Sequence, residues 1–194
     1  GHPFTGIYRG DGYQISGLGA WKDGSKVRDF PGFSALKKLN EDTSLFGFLE
    51  GRVENLVIAD SEISGGTGVL CATADGAEIE GVIISNVALK AGAGPAGLLA
   101  GESKGNTKIS GCRIEKSGVY APTVSWVGGA VGKLYGGTVQ DLAFYGGLSV
   151  EGLRAVGGVC GQILSAEDVS FNGIAMEGAV DIRQSTANYS SGAN

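Results

Sequence analysis

The chain has 194 residues, 36 of them glycine, with 42% hydrophobic residues and a formal charge of −5. So apolar a chain folds, and the glycine surplus then marks tight turns and close backbone approaches. The acidic balance argues against nucleic acid as a partner, and no apolar run is long enough to cross a bilayer, so neither nucleic-acid binding nor membrane insertion is expected.

The chain opens inside a repeat-like pattern, Pro3-Phe4-Thr5-Gly6-Ile7-Tyr8-Arg9-Gly10-Asp11-Gly12-Tyr13-Gln14-Ile15-Ser16-Gly17-Leu18, as expected of a piece of a longer protein. Within it Gly10-Asp11-Gly12 lacks the companion residues of a phosphate loop or a calcium-binding repeat and reads as a turn. The only histidine, His2, is expected to lie loose at the chain end. Residues 19–44 then break the pattern and form an insertion or cap within a single domain spanning 1–194. This stretch concentrates Trp21, Lys22, Arg28, Phe30, Phe33, Lys37 and Lys38. Its aromatic residues suit a cover over the first repeat, and its mixture of aromatic and basic residues also suits a binding loop. Ser34 is placed to cap a short helix through Leu39.

Two motifs follow in fixed order, five times over. The first is a glycine with two mostly apolar residues: Gly47-Phe48-Leu49, Gly68-Val69-Leu70, Gly97-Leu98-Leu99, Gly129-Ala130-Val131 and Gly158-Val159-Cys160, at spacings of 21, 29, 32 and 29. The second begins at Val53, Ile79, Ile109, Val139 and Ala166, and has apolar residues at offsets zero, three and five. Offsets zero and three differ in parity, whereas a flat strand alternates with period two, so the chain must turn between them. Offset two holds Asn55, Gly81, Gly111, Asp141 and Asp168, residue types that tolerate the left-handed region. A further apolar position at offset ten holds Ile63, Leu89 and Val119, with Leu148 and Val150 near it in the fourth copy, where Gly146-Gly147 suggests a bulge.

Each repeat thus reads as three short strands separated by corners. The fold expected is an all-β, right-handed parallel β-helix of about five to six rungs, with an atypical or truncated end at 185–194. The expected inward columns are Val53/Ile79/Ile109/Val139, Leu56/Val82/Cys112/Leu142/Val169 and Ile58/Ile84/Ile114/Phe144/Phe171. Cys112 and Cys160 fall in apolar columns, Cys160 aligning with Leu49, Leu70, Leu99 and Val131, while Cys71 falls one position further on, at an exposed rung edge. An odd cysteine count without C-x-x-C spacing suits neither a disulfide framework nor a zinc site, and it leaves the redox state open.

With these residues in view, the chain resembles the GLUG-motif family, glycine-rich repeats of bacterial surface proteins that also stand beside the catalytic domain of IgA-specific M26 metallopeptidases. The resemblance rests on the Pro3–Leu18 lead-in and on Leu45-Phe46-Gly47-Phe48-Leu49, Val127-Gly128-Gly129-Ala130-Val131-Gly132 and Val156-Gly157-Gly158-Val159-Cys160-Gly161. It implies a secreted or cell-surface bacterial module, an adhesin or binding scaffold for a protein or glycan, or a spacer beside a peptidase domain.

With a single histidine, the chain lacks the residues of an H-E-x-x-H zinc site or of a histidine-based triad built from its interior, so no enzyme, metal or cofactor is expected. The alternative is a carbohydrate-active β-helix, a glycoside hydrolase or polysaccharide lyase, using Asp141 and Asp168 stacked in adjacent rungs. The bland account of those two aspartates is the corner itself, since Asn55, Gly81 and Gly111 share their column. Loops near 19–44, 100–108 and 132–138 are the expected contact points for a partner.

Overall fold

The computed structural model describes residues 2–18, 44–165 and 168–185, and these form parallel β-structure with no α-helix among them. The second motif sets the geometry. Asn55, Gly81, Gly111 and Asp141 all take positive φ, between 51° and 63°. One left-handed residue reverses the in/out alternation of the chain, so the apolar residues before and after it both face inward.

Three stacks of strands result. The first holds β1 (Ile7–Arg9), β4 (Arg52–Glu54), β7 (Glu78–Glu80), β10 (Lys108–Ser110) and the start of the long β13 (Gly137–Gly157). The second holds β2 (Gln14–Ser16), β5 (Val57–Ser64), β8 (Ile83–Lys90), β11 (Arg113–Gly128) and the body of β13. The third holds β3 (Phe46–Leu49), β6 (Cys71–Asp75), β9 (Ala100–Lys104), β12 (Val131–Leu134) and β14 (Cys160–Ile163). β15 (Val169–Glu177) and β16 (Val180–Gln184) both pair with β13. Every ladder is parallel, and the chain winds as a β-solenoid of about four turns.

The expected columns form. Val53, Ile79, Ile109 and Val139 are in register and buried, as are Ile58, Ile84, Ile114 and Phe144. Burial of each such side chain stabilises the fold by about 1.5–3 kcal/mol, but only while the neighbouring rung is present to cover it. The opening segment belongs to the same scheme: Tyr8 pairs with Val53 and Ile15 with Ile58. Between them Asp11 and Gly12 take positive φ, and the Tyr13 amide donates to the Gly10 carbonyl at 2.7 Å, so Gly10-Asp11-Gly12 is a turn.

Four expectations need correction. The fifth copy of the corner motif is Phe171-Asn172-Gly173-Ile174-Ala175-Met176: Phe171 pairs with Val139, Ile174 with Leu142 and Met176 with Phe144. Val169 therefore pairs with Gly137, and Gly173 (φ 65°) occupies the corner in place of Asp168. The glycines that stack are Gly68, Gly97, Gly128 and Gly157, one residue before the expected pair in the last two rungs. Gly47 stands outside that stack, because the Phe46–Cys71 and Phe48–Thr73 pairs place it opposite Ala72. Cys71 is buried, in one column with Phe46, Ala100, Val131 and Cys160, and Leu49 instead pairs with Ala74. Finally, residues 100–104 and 131–134 are strands of the third stack, so the expected loops shrink to the short connections after them.

The shifted glycine register has a steric cause. A Cβ on Gly97 would lie 2.6 Å from the Ala100 carbonyl oxygen, the Ala130 carbonyl oxygen and the Val131 Cα. At Gly161 it would lie 2.5 Å from the Trp126 carbonyl carbon and the Val127 nitrogen. Here the chain passes into the third stack with its backbone against the backbone of an adjacent rung, and a side chain has no room.

Candidate binding surface

The second stack carries a bend at which Asp60, Asn86 and Lys116 take positive φ (46°, 54° and 44°), followed in the next rung by Gly146 and Gly147. The two glycines oppose Lys116 alone, because Glu115 pairs with Tyr145 and Ser117 with Leu148, so the expected bulge is present. The bend is held from within by hydroxyls. Ser61 accepts the Leu18 amide at 3.1 Å and donates to the Ala59 carbonyl at 2.7 Å. Ser117 accepts the Val87 amide at 3.0 Å and donates to the Glu115 carbonyl at 2.6 Å. Both serines are buried, and each both donates and accepts a hydrogen bond at a place where the ladder is interrupted.

On the outside the bend forms a shallow groove of about 860 Å³ that crosses the rungs. Its floor is one register column, Glu62, Ala88, Gly118, Ser149 and Asp181, in which the three central residues are small. Exposed Tyr145 lies just before the bend in its rung, and exposed Tyr120 lies two residues beyond Gly118 on the same outward side. Most of the groove's charges are met locally: Lys90 bonds Glu62 at 2.7 Å, the Asn86 amide donates to Asp60 at 2.7 Å, and Arg183 bonds Asp181. The bonded guanidinium holds the Asp181 carboxyl below its ordinary range.

The first stack presents a different outer face. Arg52 contacts Glu54 at 2.9 Å, Glu78 at 3.5 Å and Glu80 at 2.5 Å, while Arg9 bonds Glu54 at 2.7 Å. Glu54 and Glu80 point outward from this stack, where such pairs contribute roughly 0–1 kcal/mol each. On the third stack, Lys133 lies 3.5 Å over the Trp126 ring and Lys104 lies 5.3 Å over Tyr135. His2 lines a second depression of about 550 Å³ with Phe4, Phe46 and Phe48.

The sequence-selected residues are not drawn together. Trp21, Lys22, Arg28, Phe30, Phe33, Lys37 and Lys38 lie outside the described residues, as does the Ser34 cap. Asp141 sits at its corner with its carboxylate over Gly173, whereas Asp168 accepts a 2.7 Å bond from the Ser165 hydroxyl and lies beside Gly136. The stacked carboxylate pair is therefore not formed. Among the described residues no group of three or more His, Cys, Asp or Glu side chains is arranged to hold a metal ion. All three cysteines are free thiols, with burial pushing Cys71 and Cys112 up to about 12 and Cys160 up to about 11. None of them is activated as a nucleophile.

The groove escaped sequence reasoning. Asp60, Asn86 and Lys116 share no residue type, and the small residues of its floor carry no motif. The one available signal was Gly146-Gly147 facing a single residue in the rung before. Comparison with protein-family models, with curated proteins and with solved structures returns no match to this chain.

Proposed function

We propose that this chain is a non-catalytic binding scaffold, whose working surface is the groove along the bend of the second stack and whose ligand is an extended, largely uncharged polymer, a glycan before a protein segment. The observation that carries this reading is the groove's direction. It crosses successive rungs, which repeat at about 4.8 Å, so the three central rungs each offer a small-residue step to a chain laid along it. Ala88, Gly118 and Ser149 leave room for a ligand and expose backbone and hydroxyl groups. Of the charged groups around them, Asp60, Glu62 and Asp181 are already bonded, and Tyr120 and Tyr145 provide flat apolar surfaces with a polar tip at its margins.

The resemblance to GLUG repeats belongs to the same proposal, and with it a secreted or cell-surface setting or a place beside a peptidase domain. Its support is the paired glycine stack, Gly97/Gly101, Gly128/Gly132 and Gly157/Gly161, which recurs in successive rungs. The test is a glycan array followed by titration calorimetry with neutral polysaccharides. Binding without turnover, lost in Ala88→Arg and Ser149→Arg while the β-sheet circular dichroism is retained, is the expected result. Turnover abolished by Asp141→Asn or Asp168→Asn would replace this reading with that of a carbohydrate-active enzyme.

A further inference from the structure

We infer that the β16 edge is an interface for a second copy of this chain, paired antiparallel about a two-fold axis at Ile182. Three observations lead there. First, among the described residues β16 has one neighbour, β13, and its other edge presents ladder donors and acceptors without a strand to meet them. Second, the apolar columns run out at this end of the solenoid. Val139, Phe144, Leu148 and Val150 are at most 3% exposed, whereas their register partners Phe171, Met176, Val180 and Ile182 are 38–44% exposed. An apolar surface flanked by an open strand edge is the kind that takes up another strand.

Third, the edge is self-complementary in charge. In Val180-Asp181-Ile182-Arg183-Gln184, Asp181 and Arg183 flank Ile182 on the outward side of the strand, while Val180 and Ile182 continue the buried columns of Leu148 and Val150. Antiparallel pairing centred on Ile182 sets Asp181 of one copy opposite Arg183 of the other, twice over, and brings the two Ile182 side chains together. A parallel, in-register arrangement would oppose Asp181 to Asp181 and Arg183 to Arg183, which is repulsive. In the single chain Arg183 bonds Asp181 along its own strand, with Nε 2.8 Å from Oδ1, and Glu151 of the preceding rung lies in register with Arg183. Pairing exchanges the first contact for an equivalent one across the axis. The arrangement is isologous and closes at two copies, so it forms a dimer and not a fibre.

Sedimentation velocity of the full 194-residue chain across a concentration series tests this. A reversible dimer is expected, weakened about tenfold or more by Asp181→Arg, which sets like charges across the axis, and similarly by Ile182→Lys. The charge-swapped double variant Asp181→Arg/Arg183→Asp restores the dimer, because the edge is again self-complementary. Circular dichroism and thermal unfolding of each variant separate loss of pairing from loss of fold. A wild-type chain that stays monomeric throughout, as it would if residues 186–194 covered the edge, overturns the proposal. So does a dimer indifferent to Asp181→Arg, or one that the double variant fails to restore.

Discussion

Replacing Gly97 by alanine tests the idea that backbone-to-backbone packing at the entry to the third stack is what demands glycine. The residue does not take positive φ, so alanine carries no conformational penalty there and the cost is purely steric. The added methyl would meet the Ala100 oxygen, the Ala130 oxygen and the Val131 Cα at 2.6 Å, against an ordinary contact of at least 3.4 Å. Relief requires adjacent backbone to move by about 0.8 Å, and such overpacking costs about 1–3 kcal/mol. The Ala130 oxygen also accepts the Leu99 amide at 2.8 Å and the Ala100 amide at 3.2 Å. Weakening those bonds adds up to about 1 kcal/mol each, so a net loss of about 3 kcal/mol is expected. With a urea m value of about 2–3 kcal/mol/M, the unfolding midpoint falls by about 1 M or slightly more. Gly92→Ala is the control: no atom lies within 4 Å of its added methyl and its φ is not positive. It is expected to be neutral or to stabilise by about 0.4–1 kcal/mol through the unfolded chain. Equal midpoints for the two variants would refute the packing argument.

Ser103 lies fully buried in the inward column of Leu49, Ala74 and Leu134, and its hydroxyl has no hydrogen-bond partner. Ser103→Ala is therefore expected to stabilise the protein by about 1 kcal/mol in the same urea titration, and a destabilised variant would count against the unpaired hydroxyl. Ile84→Ala, at the middle of its column, should cost about 2–5 kcal/mol by the same measurement, and a cost under about 1 kcal/mol would show that the column collapses around the cavity. The cysteines predict an alkaline limb. Folded Cys71 and Cys112 keep their protons to about 12, while the unfolded chain releases them near the ordinary value of 9.0. Between those values the unfolded state binds fewer protons, so the contribution of the buried thiols, complete below pH 9, declines by about 1.4 kcal/mol per pH unit for each. Urea midpoints measured from pH 8 to 11 should show a shallower decline in Cys71→Ala than in the wild type, and an unchanged slope would contradict the burial. Thiol reagents at pH 8 should leave Cys71 and Cys112 unmodified until denaturant is added, with labelling followed by mass spectrometry.

The corner was legible because its cause is local. At the corner the residue that takes positive φ is Asn, Gly or Asp in every copy, and the apolar residues at offsets zero, three and five then have one geometric solution, the columns Val53/Ile79/Ile109/Val139 and Ile58/Ile84/Ile114/Phe144. The register of the last copy was not legible, because Ala166–Phe171 and Phe171–Met176 both satisfy the pattern five residues apart. Pairing along β13 chooses between them, and that choice separates Asp141 from Asp168.

The chain by itself therefore determined the fold class, the repeat and the identity of most inward residues, since these follow from backbone preference and alternation within a few residues. Only the tertiary structure decided what lies against what. Cys71 is buried because the tight passage after Gly68 resets the in/out alternation, which no count of offsets reveals. The groove exists because Asp60, Asn86 and Lys116 are held in a left-handed bend by the rungs on either side, with Asn86 bonded to Asp60 and the Ser61 and Ser117 hydroxyls closing the interrupted ladder. Lys116 has no local reason to adopt that conformation. Stacking supplies it, and stacking is a property of neighbouring turns about 30 residues apart, as between Ile79 and Ile109.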